Sequence, residues 1–386
     1  MLDKQILLLP GPTPVPPRVA QAMARPAINH RGPEFVRLLQ EVTRGLQGVF
    51  QTNNDVVVLT SSGTGAMEAA VANLLSPGDK ALAVSVGAFG ERFIQIARRF
   101  EVDVEVMAFP YGQAADPEAV AARLERDKGG QIKAILVQHN ETSTGVLNDI
   151  RAISEARRGH PALLVVDTIS GLIAADLPVD AWKVDVAIAG SQKAFMVPPG
   201  LSMLALSRRA WEAVERCTNR RYYFDLLAAR EQAARGCTPY TPAVSLLYGL
   251  EEALHMVAEE TLAGSFQRHA LLRDMVRAGL KALGLELLAP DEVASPSVTA
   301  VKVPQGLKPS DIIVPLRERH GVIVAAGQGE VKDSIFRIGH LGYVTTHDIL
   351  AGLAALEDVL DRLGIRTRDG AGVTAALRVY QEGRAS

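Results

Sequence analysis

From Val56 to Lys193 the sequence repeats one unit: a short apolar run, a break marked by glycine, serine or proline, then a helical stretch. Candidate strands are Val56 to Thr60, Ala81 to Val86, Val102 to Met107, Ile132 to Gln138, Ala162 to Asp167 and Val184 to Ala189. Helices are expected from Ala66 to about Leu75, from Phe89 to Phe100 and from Glu118 to Arg126. Units of this length predict an α/β fold, a mostly parallel sheet wrapped by helices. Such sheets bind ligands in the crevice at their strand ends. Four segments deliver polar residues there: Ser62, Thr142, Asp167 and Lys193.

Lys193 lies in a loop after the apolar run Val184 to Ala189, closed by Pro198-Pro199-Gly200. A lysine is ordinarily a solvated surface charge. Desolvated, it becomes a nucleophile able to form a Schiff base. The upstream strand Ala-Leu-Leu-Val-Val-Asp ends in the carboxylate of Asp167, which could ligate metal, cap a turn or face a cationic ring nitrogen. Together the pair suits pyridoxal phosphate, with the aldehyde held on lysine and the ring nitrogen kept protonated by aspartate. The turn Ser61-Ser62-Gly63-Thr64-Gly65 opens a helix, an arrangement that binds anions and suits the cofactor's phosphate.

Four motifs, Ser-Ser-Gly-Thr-Gly-Ala-Met-Glu-Ala, His-Asn-Glu-Thr-Ser-Thr-Gly-Val, Val-Val-Asp-Thr-Ile-Ser and Gly-Ser-Gln-Lys-Ala, stand in one order. In that order and spacing the chain resembles the class V aminotransferases, closest to their alanine–glyoxylate and serine–pyruvate branch. The likeness runs from Pro10-Gly11-Pro12 to Arg337-Ile338-Gly339. It implies fold type I of the pyridoxal phosphate enzymes: a large domain with a mostly parallel seven-stranded sheet between helices, and a smaller α+β C-terminal domain. The divisions expected are an extended arm over residues 1–20, a large cofactor-binding domain over 21–255 and a small domain over 256–386.

The resemblance also implies residue roles. Lys193 carries the cofactor and shuttles the proton, and Asp167 faces the ring nitrogen. Phe89 would by itself read as core; the matching aromatic of the family stacks on the ring. Thr142 matches a hydroxyl near the ring oxygen, and Gln192 a phosphate contact beside Ser62, Gly63 and Thr64. Thr238 and Thr241, in the rigid turn Thr238-Pro239-Tyr240-Thr241-Pro242, match residues reaching the phosphate of a neighbouring subunit, so a homodimer is expected. Mammalian members carry tyrosine where Thr238 stands, so this contact is shorter here or bridged by water. Arg337, in Phe-Arg-Ile-Gly-His, must find an anion if it is buried. The family uses this arginine to hold the substrate carboxylate. His30 and Arg31 are either substrate-side groups or a loop cap.

The implied activity is ping-pong transamination of alanine or serine with glyoxylate or pyruvate. A phosphonate-specific class V enzyme, acting on 2-aminoethylphosphonate, is the alternative. A cysteine desulfurase would need a cysteine in the small lobe, and none follows Cys237. A dinucleotide oxidoreductase would need a third glycine after Gly63-Thr64-Gly65. A silent binding protein is disfavoured by the presence of Lys193, Asp167 and Arg337.

Composition agrees with a soluble enzyme. The 386 residues are 48% hydrophobic and 22% charged, with a net charge of −2, which gives no reason to expect a nucleic-acid or membrane surface. Two cysteines build no disulfide framework and no zinc site. The apolar run Ile6 to Leu9 is cut by Pro10 and is too short for a signal segment, so a cytoplasmic protein is expected.

Elsewhere an extended, proline-rich arm is expected to about residue 18, and a helix from Glu34 to Phe50. Further helices are expected over Val244 to Glu259, Thr261 to Leu283, Pro309 to Arg319 and Thr346 to Leu363. Small-lobe strands are expected over Val298 to Val303, Val322 to Ala325 and Ile335 to Ile338. The segment Arg220 to Arg230 reads as helix or loop. The tail from Arg366 to Ser386 is polar apart from Val373 to Leu377, and either docks or stays disordered.

Overall fold

The structure is a computed structural model that describes residues 5–365 and 368–383. Its centre is a seven-stranded sheet in the order Asp55–Leu59, Ser202–Leu206, Val186–Gly190, Leu163–Asp167, Ile132–Gln138, Lys80–Ser85, Asp103–Ala108. Six strands run the same way, and Ser202–Leu206 alone is antiparallel to its two neighbours. The inner strands are buried on both faces, as their unbroken apolar sequences require. One core packs helix Pro33–Phe50 against the sheet; the opposite core packs Gly63–Leu74 and Ala88–Arg99.

Local sequence explains the helices. Pro33 occupies the first turn of Pro33–Phe50, and Gln51 ends it in the left-handed region at φ 52°. Phe35, Leu38, Leu39, Val42, Leu46, Val49 and Phe50 form its buried stripe. Thr345 and Asp348 form a reciprocal capping box at the start of Thr346–Arg362.

The smaller lobe holds the antiparallel sheet Val298–Lys302, Ile335–Gly339, Ala325–Ala326, covered by helices Leu262–Ala282, Pro309–His320 and Thr346–Arg362. Several expectations are corrected here. The run Val322 to Ala325 is two strands. Val322–Ile323 pairs in parallel with Ile6–Leu7 of the arm, and Ala325–Ala326 pairs with the strand of Arg337. The extended arm ends at Pro16, because Pro17 begins a helix that runs to Met23. Strand Ser202–Leu206 follows directly on the closing Pro-Pro-Gly, where the sequence pattern marks no strand. In the 220–230 segment only Leu226–Ala233 is helical, capped by Asp225. The tail contributes helix Ala371–Gly383, whose Gly372 and Ala376 are buried against the small-lobe core; residues 366, 367 and 384–386 of that segment lie outside the described residues.

Candidate active site

Lys193 sits in the connection between two adjacent antiparallel strands, Val186–Gly190 and Ser202–Leu206. Ser191 closes the base of this loop: its N–H donates to Leu201 O at 2.9 Å and its hydroxyl to Pro198 O at 2.7 Å. The arm lies over the loop. Thr13 N–H donates to Gln192 O at 3.2 Å, Thr13 Oγ1 donates to Lys193 O at 3.0 Å, and Lys193 Nζ donates to Pro10 O. Gly11 is at φ 118°, and a Cβ there would stand 2.6 Å from Lys193 Nζ. Only glycine fits that approach.

Asp167 ends the neighbouring parallel strand, with Oδ1 accepting from Ile169 N–H at 2.9 Å. Burial pushes its carboxyl up to about 7; Glu141 adds to that, and Lys193 and Arg92 oppose it. Burial likewise pushes the Lys193 amine down to about 8, helped by Arg337 and Arg92 and resisted by Asp167. A buried amine and carboxylate with displaced proton affinities mark a functional site.

The strand Ile132–Gln138 leads into a polar segment that is buried throughout, His139 to Thr144. Thr142 Oγ1 and Ser170 Oγ share a hydrogen bond of 2.6 Å. Arg337, 5% exposed on the middle strand of the smaller sheet, donates from Nη1 to Thr142 O at 3.0 Å and from Nε to Ala326 O at 2.9 Å. Both partners are carbonyls, and among the described residues Arg337 forms no ion pair. Its burial lowers its affinity for its proton to about 10. A buried guanidinium without a carboxylate is an incomplete anion site.

At the turn expected to take the phosphate, Ser62 precedes helix Gly63–Leu74 and makes no side-chain cap. The first N–H groups of such a helix are open to an anion. A Cβ on Gly63 would meet Ile169 Cδ1 at 2.6 Å, which ties the turn to the segment after Asp167. Gln192 Oε1 is buried without a partner, and that amide lies over Gly190 beside Gly63. Phe89 begins helix Ala88–Arg99, half-buried.

The structure thus sets Lys193, Asp167, Thr142, Gln192 and Gly63 at or after the ends of main-sheet strands, with Ser62 and Thr64 flanking Gly63 and Arg337 reaching Thr142 from the middle of a small-lobe strand. Arg31, Thr238 and Thr241 lie together at the 238–242 turn. Arg31 donates to Thr238 O at 2.7 Å and Pro239 O at 3.3 Å, bracing the 238–242 turn. Thr238 Oγ1 donates to Tyr240 O, and Thr241 is exposed. Thr238 and Thr241 line a pocket with Thr60 and Tyr223, beside the phosphate turn. His30 is half-exposed, with no hydrogen bond or ion pair among the described residues.

Sequence reasoning missed Glu141. This fully buried carboxylate accepts from Phe89 N at 3.1 Å, Gly90 N at 3.1 Å, Ser143 N at 3.0 Å and Ser143 Oγ at 2.6 Å. With Ala88 N–H donating to Ser143 Oγ at 2.9 Å, it caps the helix that carries Phe89. Burial pushes its carboxyl up while these donors hold it down. An acid inside the hydroxyl-rich run Asn140 to Thr144 was the available signal.

The profile of the Aminotransferase class-V family matches residues 7–349. The chain is a class V aminotransferase. The soluble hydrogenase 42 kDa subunit of Anabaena cylindrica is 44% identical over 98% of this chain and 100% of that protein. The L-aspartate–glyoxylate aminotransferase of Paracoccus denitrificans is 39% identical, covering 99% and 98%. The crystal structure of the ureidoglycine–glyoxylate aminotransferase of Bacillus subtilis superposes with a TM-score of 0.92 at 31% identity, covering 98% of each chain. The class V aminotransferase described here therefore has the fold type I architecture, acts on amino and keto acids and uses pyridoxal phosphate. The residues fit that cofactor: a depressed lysine, a buried aspartate, an orphaned glutamine amide and an uncapped helix start share one crevice. Among the described residues no helix is long and apolar enough to cross a membrane, and no cluster of side chains could hold a metal ion.

Proposed function

We propose that this class V aminotransferase moves the amino group of a small α-amino acid, alanine or serine, to glyoxylate or pyruvate by a ping-pong mechanism. The observation that carries this reading is Arg337, buried beside the Lys193–Asp167 pair and held by two carbonyls without a carboxylate. An α-carboxylate is the anion it lacks, and a planar guanidinium binds it by two points. The glyoxylate in the names of the Paracoccus and Bacillus proteins supports that acceptor.

Pyridoxal phosphate supplies an electron sink for the pair of electrons left when the α-proton is removed. Lys193 Nζ would hold the cofactor's aldehyde carbon and, as a free amine, would carry the proton away from the substrate α-carbon. Its lowered proton affinity keeps the amine a competent base near neutral pH. Asp167 would keep a proton on the ring nitrogen. Phe89, fixed by Glu141, would pack against the ring, and Thr142 would offer it a hydroxyl. Ser62, Gly63, Thr64 and Gln192 would receive the phosphate, joined by Thr238 and Thr241 of the partner subunit. The arm, the large domain to about residue 255 and the small domain beyond it divide this work.

The test is a panel of amino donors with glyoxylate and pyruvate, read beside the visible absorbance of the purified protein. Turnover of alanine or serine with either acceptor is expected. Turnover of 2-aminoethylphosphonate alone, or of aspartate alone, would replace the donor assigned here. Borohydride reduction should place the label on Lys193; a label on another lysine would overturn the site.

A further inference from the structure

The groups assigned to the cofactor's phosphate are Ser62, Gly63, Thr64 and Gln192, with Thr238 and Thr241 from the partner. All are neutral. A phosphate monoester carries a charge of about −1.5 to −2 at pH 7, and a helix N-terminus supplies only about +0.5. About one unit of negative charge remains without a counterpart.

Arg92 is placed to supply it. It lies one turn after Phe89 on helix Ala88–Arg99, and its Nη1 donates to Thr64 Oγ1 at 3.3 Å. Thr64 belongs to the first turn of the helix whose start receives the anion. The Arg92 guanidinium carbon stands 4.7 Å from the centre of the Phe89 ring, so the arginine also backs that ring. Its neighbour Glu91 is occupied by Tyr111, whose hydroxyl donates to Glu91 Oε1 at 2.5 Å. Among the described residues Arg92 forms no ion pair. A half-buried guanidinium held at this turn without a direct ion pair, with Asp167 acting on it only at a distance, has room for an anion.

We propose that Arg92 is a further cofactor-binding residue, giving the phosphate its counter-charge at the start of helix Gly63–Leu74 and bracing Phe89. The proposal rests on the assignment of Ser62 to Thr64 as the phosphate turn. It gives the site's two arginines different anions, the substrate's carboxylate to Arg337 and the cofactor's phosphate to Arg92.

The test uses cofactor-free protein of the wild type, R92Q and R92K. Each is titrated with pyridoxal 5′-phosphate and with pyridoxal, which lacks the phosphate, with and without inorganic phosphate as competitor. R92Q should weaken pyridoxal 5′-phosphate roughly ten- to a hundred-fold, the range of a hydrogen bond to a charged group. Its affinity for pyridoxal should stay within about twofold, and competition by inorganic phosphate should fade. R92K, which keeps the charge, should keep most of that competition. Equal loss for both ligands in R92Q would reduce Arg92 to packing behind Phe89 and overturn the proposal. So would R92K losing phosphate competition as fully as R92Q. Failure of the wild type to take up pyridoxal 5′-phosphate would instead defeat the cofactor site itself.

Discussion

Lys193 Nζ donates a hydrogen bond to the carbonyl oxygen of Pro10, 183 positions earlier in the chain. The arm therefore reaches the amine proposed here to carry the cofactor. Condensation of that amine with an aldehyde ends its existence as a free three-proton donor, so the contact with Pro10 belongs to the free lysine and must be remade or given up on loading.

The acidity of Lys193 sets the first prediction. Burial, with Arg337 and Arg92, brings the amine from 10.5 down to about 8. A lowered value means that the neutral, nucleophilic form fills in as pH rises through about 8. Uptake of pyridoxal phosphate by cofactor-free protein should therefore accelerate with pH and level off above that point. Stopped-flow absorbance from pH 6 to beyond the ordinary lysine value of 10.5 measures it; a midpoint at that ordinary value would show that the lysine is solvated.

Arg337→Lys tests carboxylate binding. The charge stays but the planar fork is lost, and truncating one side of a buried charge pair costs about 2–5 kcal/mol. Catalytic efficiency on alanine should fall roughly thirty-fold to several-thousand-fold. Ethylamine, which lacks the carboxylate, should be much less affected. Equal losses on both, measured where the variant is folded, would mean that Arg337 serves only the lobe's structure.

Glu141→Gln tests the cap on the Phe89 helix. The amide keeps one acceptor oxygen and places an NH₂ where the other stood, facing either Phe89 N and Gly90 N or Ser143 N, and so sets donor against donor. Buried donors left unpaired cost about 1–3 kcal/mol. The cofactor-free variant should melt at lower temperature by calorimetry, and the loaded variant should show an altered visible spectrum as Phe89 shifts. An unchanged melting temperature and spectrum would remove Glu141 from the positioning framework.

The fourth prediction concerns assembly. Tyr223 stacks on Tyr240 at 5.2 Å between ring centres, and Tyr222 beside them is 80% exposed. Arg31 holds the turn that presents this aromatic surface together with Thr241. Such a surface suits a second copy of the chain. Sedimentation should find a homodimer, and Tyr222→Glu should shift it toward monomer and weaken cofactor retention. A fully active wild-type monomer at assay concentration would refute the arrangement.

The periodicity of the chain made the parallel strands and most helices legible, and strand ends led to Lys193, Asp167 and Thr142. Arg337 stands out because an arginine in an apolar strand must find an anion or stay solvated at an edge, and the structure buries it. Ser202–Leu206 escaped because its run is short and follows a proline break that reads as a loop end. Val322 to Ala325 looked continuous because sequence does not show that its two halves bond to different strands. The roles of Glu141 and Arg92 depend on contacts between segments far apart in the chain, to Phe89 in one case and Thr64 in the other. The hydroxyl-rich run around Glu141 marks that residue, but no local pattern names either partner.

The arm has a mechanical meaning. Leu8 O accepts from Gly339 N at 2.7 Å, two residues past Arg337, and Pro10 O accepts from Lys193. Only Leu9 lies between the two residues whose carbonyls make those attachments, a distance of about 7 Å at full extension. Chain that short has little slack. Any displacement of the strand that carries Arg337 would therefore pull directly on the lysine's hydrogen-bond partner. On the reading proposed for Arg337, a shift of that residue toward a carboxylate would also move the carbonyl that holds the amine.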